Sequence, residues 1–186
     1  MDFLAQTIPG LYEIRPKIFT NLRGRFVKIL HAGTYADIGL CSEFAEEYYS
    51  VSHQRVLRGL HFQVPPHDHV KLVYCIQGRV LDAVVDLRVG SPTYGQSVLF
   101  ELSDELANVL YIPSGLAHGF YVASDAAILI YKTSTVHAPE SDAGLRWDTV
   151  GILWPDPNPI VSKRDQSFQS LDRFVSPFVY RAGPRS

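Results

Sequence analysis

Seven histidines stand in the chain, and four of them, His61, His67, His69 and His118, fall in patterned surroundings near its middle. The run Val56–Gln63 alternates strictly, which puts His61 and Gln63 on one face of a strand and Arg58, Leu60 and Phe62 on the other. Gly59 interrupts that run and marks a bulge site. A bulge there would swing Arg58 round to the face of His61. Taken alone, His61 reads as an ordinary core histidine. His67-Asp68-His69 forms an HxH pair, and Pro113–His118 has the form PxGxxH. Three imidazoles from such motifs can hold a transition metal. Lys71, two residues after the pair, puts a fixed positive charge where the cation would sit, and electrostatics disfavours the metal. Lys71 itself lies in an apolar run, Val70 to Val73, an odd place for a solvated lysine.

These residues need strands to hold them. Short apolar or alternating runs bounded by Gly, Pro, Asn and Ser predict strands over 10–14, 25–30, 46–52, 56–63, 71–77, 79–86, 96–102, 108–112, 119–122 and 127–133. Their spacing, close to 8–12 residues, is that of a sandwich or barrel. Gln77-Gly78 reads as a tight hairpin turn and Gly90–Gly95 as a connecting loop. A short helical turn is expected at 103–105 and a helical stretch at 162–174. The last residues, from about 176, are expected to form a loose tail. The class is all-β, and the HxH and PxGxxH motifs resemble those of cupins, which implies a cupin-like double-stranded β-helix, or jelly roll. The Glu that cupin metal sites usually add after HxH is missing from Lys71–Tyr74.

The chain of 186 residues is one domain's length, 1–186, able to bury about 70% of its unfolded surface. Its composition is 46% hydrophobic and 19% charged, which argues against disorder. A net charge of −2 without like-charge blocks argues against a nucleic-acid partner. No apolar run approaches the ~20 residues of a membrane span, and the start lacks the pattern of a signal peptide. Cys41 and Cys75 form no CxxC and read as free thiols of a reducing cytoplasm, with a single disulfide left open.

In order along the chain come Val56–Gln63, Pro65-Pro66-His67, Lys71-Leu72-Val73, Val85–Arg88, Gly90–Gly95, Ile112–Phe120, Tyr131-Lys132-Thr133 and Gly144–Asp148. This series resembles the dTDP-4-dehydrorhamnose 3,5-epimerase family over about residues 8–171. The resemblance implies a jelly roll, a homodimer, no metal and no cofactor. It implies a nucleoside-diphosphate 4-keto-6-deoxyhexose as substrate. The hydrogens on C3 and C5 of such a sugar are both alpha to the C4 ketone. Inversion needs a base, a group that stabilises the enolate oxygen, and an acid on the opposite face.

His61 matches the family's base, and imidazole suits the task because its unperturbed pKa is ~6.5. Asp165 matches the carboxylate that would fix its tautomer. Lys71 matches the lysine facing the keto oxygen, and His118 a supporting histidine nearby. Tyr131 matches the acid; a phenol is a weak acid, with a pKa of ~10, that nearby cations can lower. Arg58 and Arg23 match arginines on the diphosphate, whose oxygens suit guanidinium forks. Gln63 and Lys163 join the implied substrate-binding set. In the family the N-terminal segment carrying Arg23 crosses to the partner subunit, so each site would need both chains.

The sequence departs from the family where the nucleotide is held. Asn21-Leu22-Arg23-Gly24 replaces Asp-x-Arg-Gly, and Lys28 replaces a Glu. Glu46-Glu47-Tyr48 replaces Gln-x-Asn, and Val136-His137 replaces a tyrosine pair. Thymine N3 carries a hydrogen and wants an acceptor, whereas cytosine N3 wants a donor such as Lys28. Cytosine's amino group would suit Glu46. A CDP-sugar therefore stands beside a dTDP-sugar, for which His137 or Tyr48 would restore the lost stacking. Two other classes stay open: a sugar 3,4-ketoisomerase or metal-dependent cupin, and a non-catalytic sugar-nucleotide binder. Retention of both His61 and Tyr131 favours the epimerase.

Overall fold

The computed structural model describes residues 1–181. Its strands, in chain order, are β1 (Asp2–Ala5), β2 (Tyr12–Arg15), β3 (Ile18–Asn21), β4 (Gly24–Val27), β5 (Glu46–His53), β6 (Val56–Gln63) and β7 (Lys71–Gln77). They continue as β8 (Arg79–Asp86), β9 (Ser97–Ser103), β10 (Val109–Ile112), β11 (Leu116–Val122), β12 (Ala126–Thr133), β13 (Asp142–Gly144) and β14 (Ile160–Val161). Two short helices, α1 (Ala32–Ala36) and α2 (Lys163–Gln166), lie outside the sheets. One sheet runs β1-β2-β10-β7-β12-β5 and the other β13-β6-β11-β8-β9, with β14 added in parallel to β6. β3 and β4 form a separate hairpin. This is the expected all-β jelly roll.

Alternation explains the layering. Val73, Cys75, Leu129 and Tyr131 of the first sheet pack against Val84, Phe120 and Val122 of the second, which makes the core between the sheets. The opposite face of the second sheet, with Leu60, Phe62 and Val85, is covered by Phe174 and Phe178. The opposite face of the first, with Leu72, Val109 and Tyr111, is covered by Tyr35 of α1. Burial of such side chains stabilises each by ~1.5–3 kcal/mol.

The bulge at Gly59 is present. His61 pairs with His118 and Arg58 with Phe120, so two residues of β6 face the single Gly119 of β11. The shift gives Val56 to the inter-sheet core. Arg58, two residues on, takes the same face. The turn in the strand requires glycine: Gly59 has φ +124°, and a Cβ there would lie 2.6 Å from Gly119 Cα. Gly59→Ala is expected to cost about 1–3 kcal/mol in urea unfolding, since strain of this kind is of that order. An unchanged unfolding midpoint would contradict it.

Several expectations change. Gln77-Gly78 is no hairpin turn, because β7 and β8 belong to different sheets. Gly78 carries the chain across, with φ +80° and Ala126 O only 2.1 Å from where a Cβ would be. The helical stretch at 162–174 is broken into α2 and a 3-10 turn at Leu171–Arg173. At 104–106 a single turn follows β9. Strands β1, β3, β13 and β14 and helix α1 went unread, all being five residues or shorter. The tail is docked through its first part: Phe178 is buried and the Tyr180 amide donates to Val89 O at 2.9 Å. Residues 182–186 of it lie outside the described residues. Cys41 and Cys75 are free thiols, so the disulfide does not form. Among the described residues no helix is long and apolar enough to cross a membrane.

Candidate active site

A cavity of about 320 Å³ opens at one end of the jelly roll, lined by His61, Gln63, Lys71, Tyr48, Glu46 and His137 among others. β6 supplies His61, and α2 supplies its partner. His61 Nε2 lies 2.8 Å from Asp165 Oδ1, and the Gly59 amide donates to Asp165 Oδ2 at 3.1 Å. α2 is short, but the Asp165 amide donates to Ser162 Oγ, an N-cap that fixes its first turn. Burial alone would raise the Asp165 pKa. The hydrogen bond and charge of His61, with the Gly59 amide, outweigh it and hold the carboxyl below its ordinary value. An ionised Asp165 accepts from Nε2–H, which leaves the lone pair of a neutral His61 on Nδ1. Phe168 sets its ring edge-on to the imidazole, with centroids 5.8 Å apart.

Lys71 heads β7 and is 7% exposed, and its ammonium donates to His61 O at 3.2 Å. Burial lowers its pKa to about 8, against the opposing pull of Asp142 and Asp82. Two consequences follow in sign. Any step that needs the ammonium should fail as pH rises through about 8, giving a basic limb in kcat at that position. The folded chain binds fewer protons than the unfolded chain between about 8 and the ordinary 10.5, so this lysine's burial penalty is relieved as pH rises there. Lys71→Gln should remove that limb and leave a low rate that no longer falls on the basic side. A limb kept in that variant would assign it to another group.

His118 stands opposite His61 on β11, with Nε2 2.7 Å from Asp82 Oδ2. Both are buried, and burial raises the Asp82 pKa against the pull of His118. Tyr131 of β12 sets its ring edge-on to His118, with centroids 6.3 Å apart. Its hydroxyl is 3.1 Å from Ser50 Oγ. Nearby cations do not lower its pKa on balance. Burial raises it, and the nearby Arg58 cation is too weak a counterweight. Tyr48, the cross-strand neighbour on β5, stacks on Tyr131 at 4.9 Å and 15°. Burial, then Glu46 and Asp142, push the Tyr48 phenol up to about 12.

Arg58 donates through Nε to Ser52 Oγ at 2.9 Å. Glu46 accepts from the His137 amide at 2.6 Å. Gln63 bonds within the cavity wall, and Lys163 is exposed on α2 beside Asp165. Two predicted residues are not brought to His61 within one chain. Arg23 is exposed at the β3–β4 turn, and Lys28 lines a separate cavity of about 540 Å³ with Phe19, Phe26 and His31. The HxH and PxGxxH histidines are also parted. His67 Nδ1 meets Ser141 Oγ at 3.0 Å, His69 meets Gln63, and His118 meets Asp82. Among the described residues, no group of three His, Cys, Asp or Glu side chains gathers as a metal site.

Sequence reasoning missed Ser50, Asp82, Asp142, Arg164 and Phe168. Asp82 had a signal, a carboxylate inside the apolar run of β8 on an inward position. Ser50 had none, because only the cross-strand pairing of β5 with β12 puts it beside Tyr131.

Comparison with known proteins shows the family and the fold. A family model described as dTDP-4-dehydrorhamnose 3,5-epimerase matches residues 5–173. The chain is 38% identical over 181 residues to the dTDP-4-dehydrorhamnose 3,5-epimerase of Shigella flexneri, covering 94% of this chain and 100% of that one. It is 39% identical over 162 residues to a dTDP-4-dehydrorhamnose 3-epimerase of Streptomyces niveus, covering 86% and 78%. Its fold matches the crystal structure of dTDP-6-deoxy-D-glucose-3,5-epimerase from Legionella pneumophila, in complex with dTDP-4-keto-L-rhamnose. That match has a TM-score of 0.92 and 34% identity, over 97% of this chain and 99% of that one. With both sequence and fold matched across nearly its whole length, the chain belongs to the dTDP-4-dehydrorhamnose 3,5-epimerase family.

Proposed function

We propose that the protein inverts C3, C5 or both in a nucleoside-diphosphate 4-keto-6-deoxyhexose, in deoxysugar biosynthesis. The observation that carries this reading is the His61–Asp165 pair at 2.8 Å, in a cavity that also holds the buried Lys71. His61 Nδ1 takes the carbon-bound proton alpha to the ketone. The electron pair of that C–H bond moves onto the C4 oxygen, and the Lys71 ammonium stabilises the enolate. Such a donor in a dry site is typically worth ~10²–10³ in rate. The Tyr131 hydroxyl then protonates the same carbon from the opposite face. Its raised pKa keeps the phenol loaded at working pH. His61 releases its proton to solvent and Tyr131 regains one, with Ser50 as its hydrogen-bonded neighbour.

The nucleotide is dTDP or CDP, read by Glu46, Tyr48 and His137 at the cavity and by Arg58, Lys163, Arg23 and Lys28 beyond it. The enzyme works as a homodimer in the cytoplasm, and the β3–β4 hairpin of each chain completes the site of the other. Exposed Phe19, Leu22 and Phe26 on that hairpin support this arrangement, and Arg23 is not among the residues that line the His61 cavity of its own chain. Proton NMR in D₂O, with 4-keto-6-deoxyglucose on dTDP and separately on CDP, tests the reading. Deuterium at C3 and C5 marks a 3,5-epimerase, and deuterium at one carbon marks a monofunctional enzyme. The faster substrate names the base. No exchange on either would overturn the proposal.

A further inference from the structure

One histidine of the HxH pair has an unexplained atom. Gln63 Oε1 accepts the Ala138 amide at 2.7 Å, which fixes which end of that side chain is which. Gln63 Nε2 therefore faces His67 O at 2.7 Å and His69 Nδ1 at 3.1 Å, with Val136 O farther off at 3.4 Å. Since the amide nitrogen can only donate, His69 Nδ1 accepts, and the ring hydrogen sits on Nε2. That Nε2 is buried and has no hydrogen-bond partner among the described residues. The ring lines the cavity that holds His61 and Lys71. Burial, then the charges of Lys71 and His137, lower its pKa to about 3, so the imidazole stays neutral in use. A buried N–H without an acceptor is costly and asks for an explanation.

We propose that His69 is a substrate-binding residue whose Nε2–H donates to the C4 oxygen of the keto sugar, beside Lys71. This identification of the ligand rests on the epimerase reading above. A donor-only group selects an acceptor-only oxygen, and the ketone, becoming an enolate, is the acceptor that gains charge during reaction. Lys71 supplies charge and His69 supplies direction. A second cation at the same oxygen would repel the first, and a neutral imidazole avoids that. The HxH pair is thereby divided, with His67 bonded to Ser141 and His69 turned to substrate.

The test uses the full chain with ¹⁵N-labelled histidine. In the free protein His69 should show one protonated nitrogen, unchanged between pH 5.5 and 9. Its signal should move on adding the dTDP- or CDP-linked 4-keto sugar and stay in place with dTDP or CDP alone. His69→Leu should lower kcat about 10²-fold, the typical loss for one oxyanion donor, with nucleoside-diphosphate affinity unchanged. His69→Gln, which keeps an N–H, should recover most of that loss. A signal unmoved by the keto sugar overturns the inference without any variant. So does a His69→Leu enzyme within threefold of wild type, or one that loses sugar-nucleotide and nucleotide affinity equally. If wild type exchanges no protons while the signal still moves, the epimerase reading fails and the donor stands. Exchange with an unmoved signal leaves the epimerase reading and removes the donor.

Discussion

Asp165→Asn is expected to lower kcat by about 10³–10⁴-fold while leaving the fold intact, because a carboxamide cannot do what the carboxylate does here. Asp165 accepts twice, from Gly59 N–H through one oxygen and from His61 Nε2–H through the other. An Asn has one acceptor. If its oxygen takes Gly59, its NH₂ faces His61 Nε2, forces the ring hydrogen onto Nδ1 and removes the base. If its oxygen takes His61, the NH₂ meets the Gly59 amide donor to donor. Either arrangement breaks one bond of the pair. His61→Asn removes the imidazole and should show a loss of the same size or larger. The measurement is deuterium entry in D₂O, which should vanish at every carbon the wild type exchanges. Rates within tenfold of wild type in both variants would show that another group removes the proton.

Tyr131→Phe is expected to separate exchange from inversion. Without the phenol, His61 still removes the proton and returns a deuteron to the same face. Substrate should therefore gain deuterium with its configuration retained. Formation of inverted product should fall by about 10²–10⁴-fold, the usual worth of a general acid. The two processes are read in one NMR experiment, from isotope content and from ring coupling constants. Equal loss of both would mean that Tyr131 is needed for proton removal and acts in binding rather than as the acid. The substitution leaves Ser50 Oγ without its 3.1 Å partner, a small structural cost beside the catalytic one.

The amino-acid order alone carried much of this protein. Period-2 alternation made β6, β7 and β8 legible to the residue, since each buries one face or both and tolerates no slip in register. The Gly59 bulge was legible too, because a glycine inside an alternating strand has few other uses. The candidate site residues His61, Lys71, Tyr131 and Asp165 come from a resemblance, not from local pattern. Taken singly, His61 reads as a core histidine and Asp165 as a surface helix residue.

What tertiary structure decided was everything that depends on pairing across the chain. His61 and Asp165 are 104 residues apart, and no periodicity links β6 to a four-residue helix. Gly78 looks like a hairpin turn locally, yet sheet membership is set by which faces bury together, and it carries the strand to the other sheet. The Tyr131 pKa is decided in the same way. Its sequence neighbours say nothing of desolvation, which outweighs a nearby cation once the phenol is 7% exposed. The HxH pair shows the limit most plainly: its spacing suggests a metal, but His67 bonds Ser141, 74 residues on, while His69 bonds Gln63 of β6, and among the described residues the two join no metal-binding group. Local spacing constrains which residues share a strand face, while hydrogen-bond partners and burial, which set protonation and direction, exist only once the sheets close.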